Sequence, residues 1–274
     1  MPAPIPRILV IAGSDSGGGA GIQADIKTIT MLGGHAMTAV TAITAQNTLG
    51  VQAVHQIPTT MVLAQIDSVV SDIGVDAVKI GMIGSAETAN AVADRLEAID
   101  VLIVFDPVMV ATSGSVLADA DTIAAFTRLM RLATLVTPNL PELAALGGEA
   151  AIRALGPAVL LKGGHAEGDI VEDRLIADDS ETCWTNPRIV TQHSHGTGCT
   201  LASGIATGLA AGMSLGDATD RAIAFVRAAL AAAPGLGEGH GPMGHAVGKV
   251  PFYHLLADAD PDGWDAQAFA ARWN

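Results

Sequence analysis

Short apolar runs alternate with longer amphipathic ones along most of this chain. Ile8-Leu9-Val10-Ile11-Ala12 ends at Gly13, and similar runs recur at Ala77–Ile80, 101–105, 134–136 and Ala158–Leu161. Runs of this length fit strands buried on both faces, as in a parallel sheet. Between them, 22–32, 59–71, 86–98, 121–130 and 141–146 carry helical patterns. Segments 35–46 and 51–57 read as extended around Asn47-Thr48-Leu49-Gly50, and 170–188 as a short antiparallel excursion. Arg188-Ile189-Val190-Thr191 reads as a strand-like run, and 201–213 as a buried helix of small residues. The alternation predicts an α/β protein: a doubly wound, mostly parallel sheet with helices on both faces. No linker or repeat divides the chain, so residues 1–250 are expected to form one domain. Residues 251–274, with Trp264 and Trp273, form a C-terminal extension with no assigned role.

In open α/β sheets the ligand lies beyond the carboxyl ends of the strands. The Gly-rich and polar turns of this sequence fall there: 13–25, 81–84, 106–109, 137–142, 162–165 and 195–199. The most informative is His195-Gly196-Thr197-Gly198-Cys199-Thr200. A glycine turn opening a helix leaves backbone N–H groups unpaired at its positive end, which suits phosphate. Cys199 falls in the first helical turn, where a thiol is expected to ionise more readily than in water; the bland reading is a small buried residue. Lys162 ends a buried strand, a position that calls for an anionic partner. Asn139 and Glu142, three apart, fit a helix capping box and equally a hydrated magnesium site. Asp106 ends another apolar strand in the same crevice. Gly19-Ala20-Gly21-Ile22-Gln23-Ala24 fits a dinucleotide fingerprint, but nothing acidic occurs between Asp25 and Asp67, and no Walker Lys-Ser follows Gly18.

Composition narrows the chemistry. The 274 residues are 50% hydrophobic and 15% charged, with a net charge of −14. That charge argues against a nucleic-acid or anionic-membrane surface. With 14 Lys and Arg in all, phosphate charge must fall to backbone N–H groups, a metal ion or one well-placed lysine. The two cysteines, Cys183 and Cys199, imply no disulfide framework, and Met1 to Pro6 carries no signal pattern, so a cytoplasmic protein is expected. Residues 195–216 lack charge, yet their Gly, Ser and Thr content fits a packed helix better than a membrane span. His165, His195, His240 and His245 make no zinc pattern with either cysteine.

Taken together, these motifs resemble the hydroxymethylpyrimidine/phosphomethylpyrimidine kinase family of the ribokinase-like superfamily. The likeness rests on the segments at 13–25, 44–48, 79–82, 106–109, 137–142, 162–165 and 195–200, in order, and reaches the turn Gly239-His240-Gly241-Pro242. It implies a three-layer ribokinase-like fold. The implied activity is phosphorylation of 4-amino-5-hydroxymethyl-2-methylpyrimidine and then of its monophosphate, with ATP and magnesium, for thiamine diphosphate. Carried over by position, Gln46 would read the aminopyrimidine edge, with Ala45 also at the substrate, and Asp25 and Gly13 would meet the hydroxymethyl end or nearby ring atoms. Met82 and Val108 would wall the ring. Lys162 and Thr197 would hold nucleotide phosphates, and Asp106, Asn139 and Glu142 would organise magnesium. Gly196, Gly198 and Cys199 would form the anion hole, with Cys199 as base. A homodimer is implied as well. Thr112 stands where many members have Lys. A pyridoxal kinase is the nearest alternative; a dinucleotide-dependent oxidoreductase and a silent pyrimidine-binding protein are the others.

Overall fold

The computed structural model describes residues 5–247 except 112–113 and 178–179. Thr112 and residues 251–274 therefore lie outside the described residues. The strands are β1 (Arg7–Asp15), β2 (His35–Asn47), β3 (Gly50–Gln56), β4 (Ala77–Ile80), β5 (Leu102–Phe105), β6 (Leu135–Val136), β7 (Ala158–Leu161), β8 (Ile170–Ala177) and β9 (Ser180–Pro187). They form one sheet in the order β3-β2-β1-β4-β5-β6-β7-β8-β9. The strands from β2 across to β7 run parallel, whereas β3, β8 and β9 add antiparallel margins.

Both faces are covered, which explains why the central strands are apolar throughout. Leu9 and Ile11 face one layer, and Ile8, Val10 and Ala12 the other, as the two-residue period of a strand requires. The first layer holds α2 (Thr59–Asp72), α3 (Ala86–Leu96) and α4 (Ala120–Leu132), whose Val62, Ile66, Val92 and Phe126 are buried. The second holds α1 (Gly21–Met31), α7 (Thr197–Ala210) and α8 (Leu215–Ala231), with Ile29, Ile205 and Ala222 in its core. Between them in sequence come the short α5 (Leu140–Ala145) and α6 (Glu149–Arg153).

The expected three-layer α/β architecture is therefore present, with three differences of detail. The run Arg188-Ile189-Val190-Thr191 is not a strand; β9 stops at Pro187, and Val190 is exposed. Proline lacks the N–H that a continuing ladder would need. The small-residue helix starts at Thr197, inside the glycine turn, rather than at 201. Finally, α8 is a helix for which the sequence pattern predicts no element; half of its buried positions are alanine, at Ala218, Ala222 and Ala229. The uncharged α7 is buried from Thr200 to Leu209, sandwiched between the sheet and α1 and α8. No helix among the described residues is long and apolar enough to cross a membrane.

Candidate active site

Two lysine–aspartate pairs serve one crevice, the first at the strand ends. After β7, Lys162 Nζ donates to Asp106 Oδ1 at 2.7 Å and lies 3.8 Å from Glu142 Oε2. Thr137 Oγ1 donates to the same Asp106 oxygen at 3.2 Å. Burial alone would lower the Lys162 ammonium, but the carboxylates of Asp106 and Glu142 outweigh it and hold the lysine above its ordinary value. Burial raises Glu142 above the usual carboxylate range, against the pull of Lys162. The second pair lies deeper. Lys79, in β4, donates to Asp25 Oδ2 at 3.0 Å, and Ser203 of α7 donates to Asp25 Oδ1 at 2.6 Å. Both charged side chains of this pair are fully shielded from solvent.

Cys199 sits above the second pair, in the first turn of α7. Gly196 caps that helix with φ +87, a left-handed conformation in which a side chain is strained. A Cβ on it would also stand 1.9 Å from Gly19 O, so the turn is pressed against the loop after β1. Gly198 allows an equally close approach: a Cβ there would meet Lys162 Nζ at 3.3 Å and Asp106 Oδ2 at 3.4 Å. The glycines thus bring the helix N-terminus directly beneath the Lys162 pair. The thiol itself does not follow the expectation from its position. Burial pushes it up to about 11; Lys79 and the Gly21 amide pull it down, while Asp25 and Asp106 push it further up. Burial outweighs the pull of Lys79 and the Gly21 amide, so the thiol is protonated at neutral pH.

Gln46 belongs to a separate polar cluster. Its amide nitrogen lies 3.1 Å from His195 Nε2, and the same ring nitrogen lies 3.0 Å from Asp15 Oδ2. Asp15 also accepts from the amides of Gly17, Gly19 and Ala20, which shapes the glycine loop after β1. Burial would raise Asp15, but these hydrogen bonds prevail and hold it below the ordinary carboxylate value. Met82 lies against Gly13, where a Cβ would stand 2.9 Å from its Sδ. Val108 is half-buried after β5. Ala45 is exposed and lies on the face of β2 opposite Gln46, so its side chain joins none of these groups.

The donors suit magnesium in part. Magnesium takes hard oxygen ligands and is held by one or two carboxylates plus water and substrate phosphate. Asp106 and Glu142, converging on Lys162, provide those carboxylates. Asn139 is engaged elsewhere: its Oδ1 accepts from the Glu142 amide at 2.8 Å, and Glu142 Oε2 accepts from the Asn139 amide at 2.8 Å. This is a complete capping box at the start of α5. Thr197 is at the first position of α7, beside Gly198. The sequence reading gave no role to Lys79, Asp15, Ser203 or Thr137. For Lys79 the signal was present: a lysine inside an otherwise apolar strand must find a buried carboxylate.

A sheet of this topology, with a helix N-terminus, a lysine and two carboxylates gathered at its strand ends, defines a small-molecule phosphotransferase of the ribokinase-like class. The sequence pattern of the phosphomethylpyrimidine kinase family matches residues 15–244. A hydroxymethylpyrimidine/phosphomethylpyrimidine kinase from Streptomyces coelicolor is 47% identical, over 89% of this chain and 96% of that one. The thiamine biosynthesis bifunctional protein ThiED of Geobacter sulfurreducens is 49% identical over 89% of this chain, which spans only 54% of that longer protein. Among solved structures, Staphylococcus aureus pyridoxal kinase in complex with AMP-PCP and pyridoxal has a TM-score of 0.80 at 32% identity, covering 88% of this chain and 94% of that one. This chain belongs to the phosphomethylpyrimidine kinase family.

Proposed function

We propose that this protein uses ATP to phosphorylate 4-amino-5-hydroxymethyl-2-methylpyrimidine, and then its monophosphate to the diphosphate, in thiamine diphosphate biosynthesis. The observation that carries this reading is the placement of Cys199 and the α7 N-terminus beneath Lys162, Asp106 and Glu142. The relatives' names supply the substrate, and the higher identity to the Streptomyces kinase favours the pyrimidine over pyridoxal.

In the transfer, the substrate alcohol gives its proton to the Cys199 thiolate, and its oxygen forms a bond to the γ-phosphorus. The bond from that phosphorus to the bridging oxygen breaks, and ADP leaves with the electron pair. Because the thiol is high, its thiolate is scarce but strongly basic, which suits a loose transition state in which the alcohol loses its proton late. The backbone amides from Gly196 to Cys199 and the Lys162 ammonium meet the charge on the transferring group. Magnesium, held by Asp106 and Glu142, would add Lewis-acid neutralisation of the phosphates. Asn139 acts by fixing Glu142. Gln46, beside His195, reads the aminopyrimidine edge, and Met82 and Val108 wall the ring beside Gly13; Asp25, fully buried against Lys79 and Ser203, supports the pocket from below instead of meeting the hydroxymethyl group. Two free thiols fit a reducing cytoplasm, and the family likeness supports a homodimer.

The test is product analysis with ATP and the pyrimidine alcohol, with pyridoxal in parallel. Mono- and diphosphate are expected, with Cys199→Ala reducing turnover by about 10²–10⁴-fold at little change in nucleotide affinity. Faster turnover of pyridoxal would overturn the substrate; near-normal turnover of Cys199→Ala would remove the base.

A further inference from the structure

The crevice of this acidic protein holds its second buried cation where it cannot reach a substrate. Lys79 points out of β4 into the layer formed by α1 and α7, and its ammonium is fully buried against Asp25. Asp25 is in turn held by Ser203. Ser203 follows Cys199 by four residues on α7, so the two share one face of that helix. The Lys79–Asp25 pair is therefore braced against the helix face that carries the thiol, one turn below it.

We propose that Lys79 is a positioning residue: it keeps a fixed cation beneath Cys199 and, balanced against Asp25, sets how readily the thiol gives up its proton. Four charged groups face Cys199 from the surrounding elements: Lys79 from β4, Asp25 from α1, Asp106 from the end of β5 and Lys162 from the end of β7. Lys162 is committed to Asp106 and Glu142, and in the proposed reaction to phosphate, so its field at the sulfur changes during turnover. Lys79 has no such second partner to turn to. Burial would lower its ammonium, but Asp25, Cys199 and Asp106 hold it above its ordinary value, so it stays charged throughout the working range. Lys79 is also the largest influence pulling the thiol down, and Asp25 the largest neighbouring charge pushing it up. The two residues thus act on Cys199 with opposite signs. Removing Asp25 is expected to lower the thiol, a direction that packing alone does not predict, whereas removing Lys79 alone leaves a buried carboxyl, already raised by burial, that takes up a proton.

This inference rests on Cys199 being the proton acceptor for its importance, but its test reads the thiol directly. In a Cys183→Ser background, alkylation of Cys199 by iodoacetamide is followed by mass spectrometry across pH, without substrates. The readout is the pH at which labelling reaches half its maximal rate. Asp25→Asn leaves the Lys79 cation unbalanced and is expected to move that midpoint down by about one unit, a tenfold rise in thiolate at a given pH. Lys79→Met/Asp25→Asn removes both charges and is expected to return the midpoint toward the parental value, and Lys79→Arg to keep it there. An unmoved midpoint in folded Asp25→Asn, or the same downward shift in the double variant, would overturn the proposal. If the double variant does not fold, Asp25→Asn decides alone. A downward shift together with an active Cys199→Ala would support Lys79 and remove the base reading.

Discussion

Two lysine–aspartate pairs serve one crevice, and their surroundings give them different work. Lys79–Asp25 joins the middle of a strand to the middle of a helix, and both side chains are fully buried. Lys162–Asp106 joins two strand ends, has a second carboxylate 3.8 Å away and keeps 13% of the lysine side chain exposed. A closed pair has nowhere to go: it balances charge inside the core and fixes the field around it. An open pair is held ready to exchange partners, because an arriving phosphate can take Lys162 while a cation takes Asp106. The same two residue types thus serve architecture in one place and chemistry in the other, according to how much water and freedom each is left.

The comparison breaks most sharply under a matched substitution. Lys79→Met leaves the Asp25 carboxylate buried without its cation, and losing one partner of such a pair costs about 3–5 kcal/mol of stability. Lys162→Met leaves Asp106, itself buried, with its bond to Thr137 in a crevice that solvent reaches past the lysine, and is expected to lose less stability than Lys79→Met. Its turnover should instead fall about 10²–10³-fold, the usual effect of removing one donor to a charged transition state. Denaturant unfolding and steady-state kinetics on both variants check this. Equal destabilisation by the two, or near-normal turnover in Lys162→Met, would erase the distinction.

The thiol between the pairs sharpens the comparison through pH. Cys199 is raised to about 11, so at neutral pH the reactive thiolate is the minor form and grows as pH rises toward that value. On that side of its value the thiolate fraction increases about tenfold per unit. The rate constant kcat/KM, which reports groups before substrate binds, should therefore climb steadily through mildly alkaline pH rather than level off. A plateau already reached at neutral pH would mean that the Lys79 cation outweighs burial at the sulfur, or that another group takes the proton.

The fold was largely legible because its signals are local. Apolar runs gave the central strands, and Gly-rich turns at their ends gave the crevice. The misread segments are those where composition hides periodicity or mimics it. The buried face of α8 is rich in alanine, and the apolar Ile189-Val190 pair, with Val190 exposed, follows a strand that Pro187 has already ended. The site was legible as a set of positions, but not as a set of contacts. Nothing in the spacing says that Asp15, 180 residues away, would hold His195 beside Gln46. Nor does it say that burial would raise the Cys199 thiol. Partners brought together by tertiary folding have no sequence period, and desolvation depends on what covers a group, not on its neighbours in the chain.

The smallest effect concerns Asn139, which could serve Glu142 or a metal directly. Its side-chain oxygen accepts from the Glu142 amide, and the Glu142 carboxylate returns the bond to the Asn139 amide. Losing an N-cap side chain costs about 1 kcal/mol, so Asn139→Ala should lower stability by that amount and let Glu142 drift from Lys162. Serine supports the same cap with a shorter oxygen. Asn139→Ser is therefore expected to recover the stability and, with Glu142 held again, the parental magnesium dependence of turnover. Recovery of stability with a weakened magnesium dependence would show that the asparagine oxygen meets the metal or its water. Asn139 would then belong with the open pair, as a group that changes partner during the reaction, instead of acting as the fixed support on which Glu142 rests.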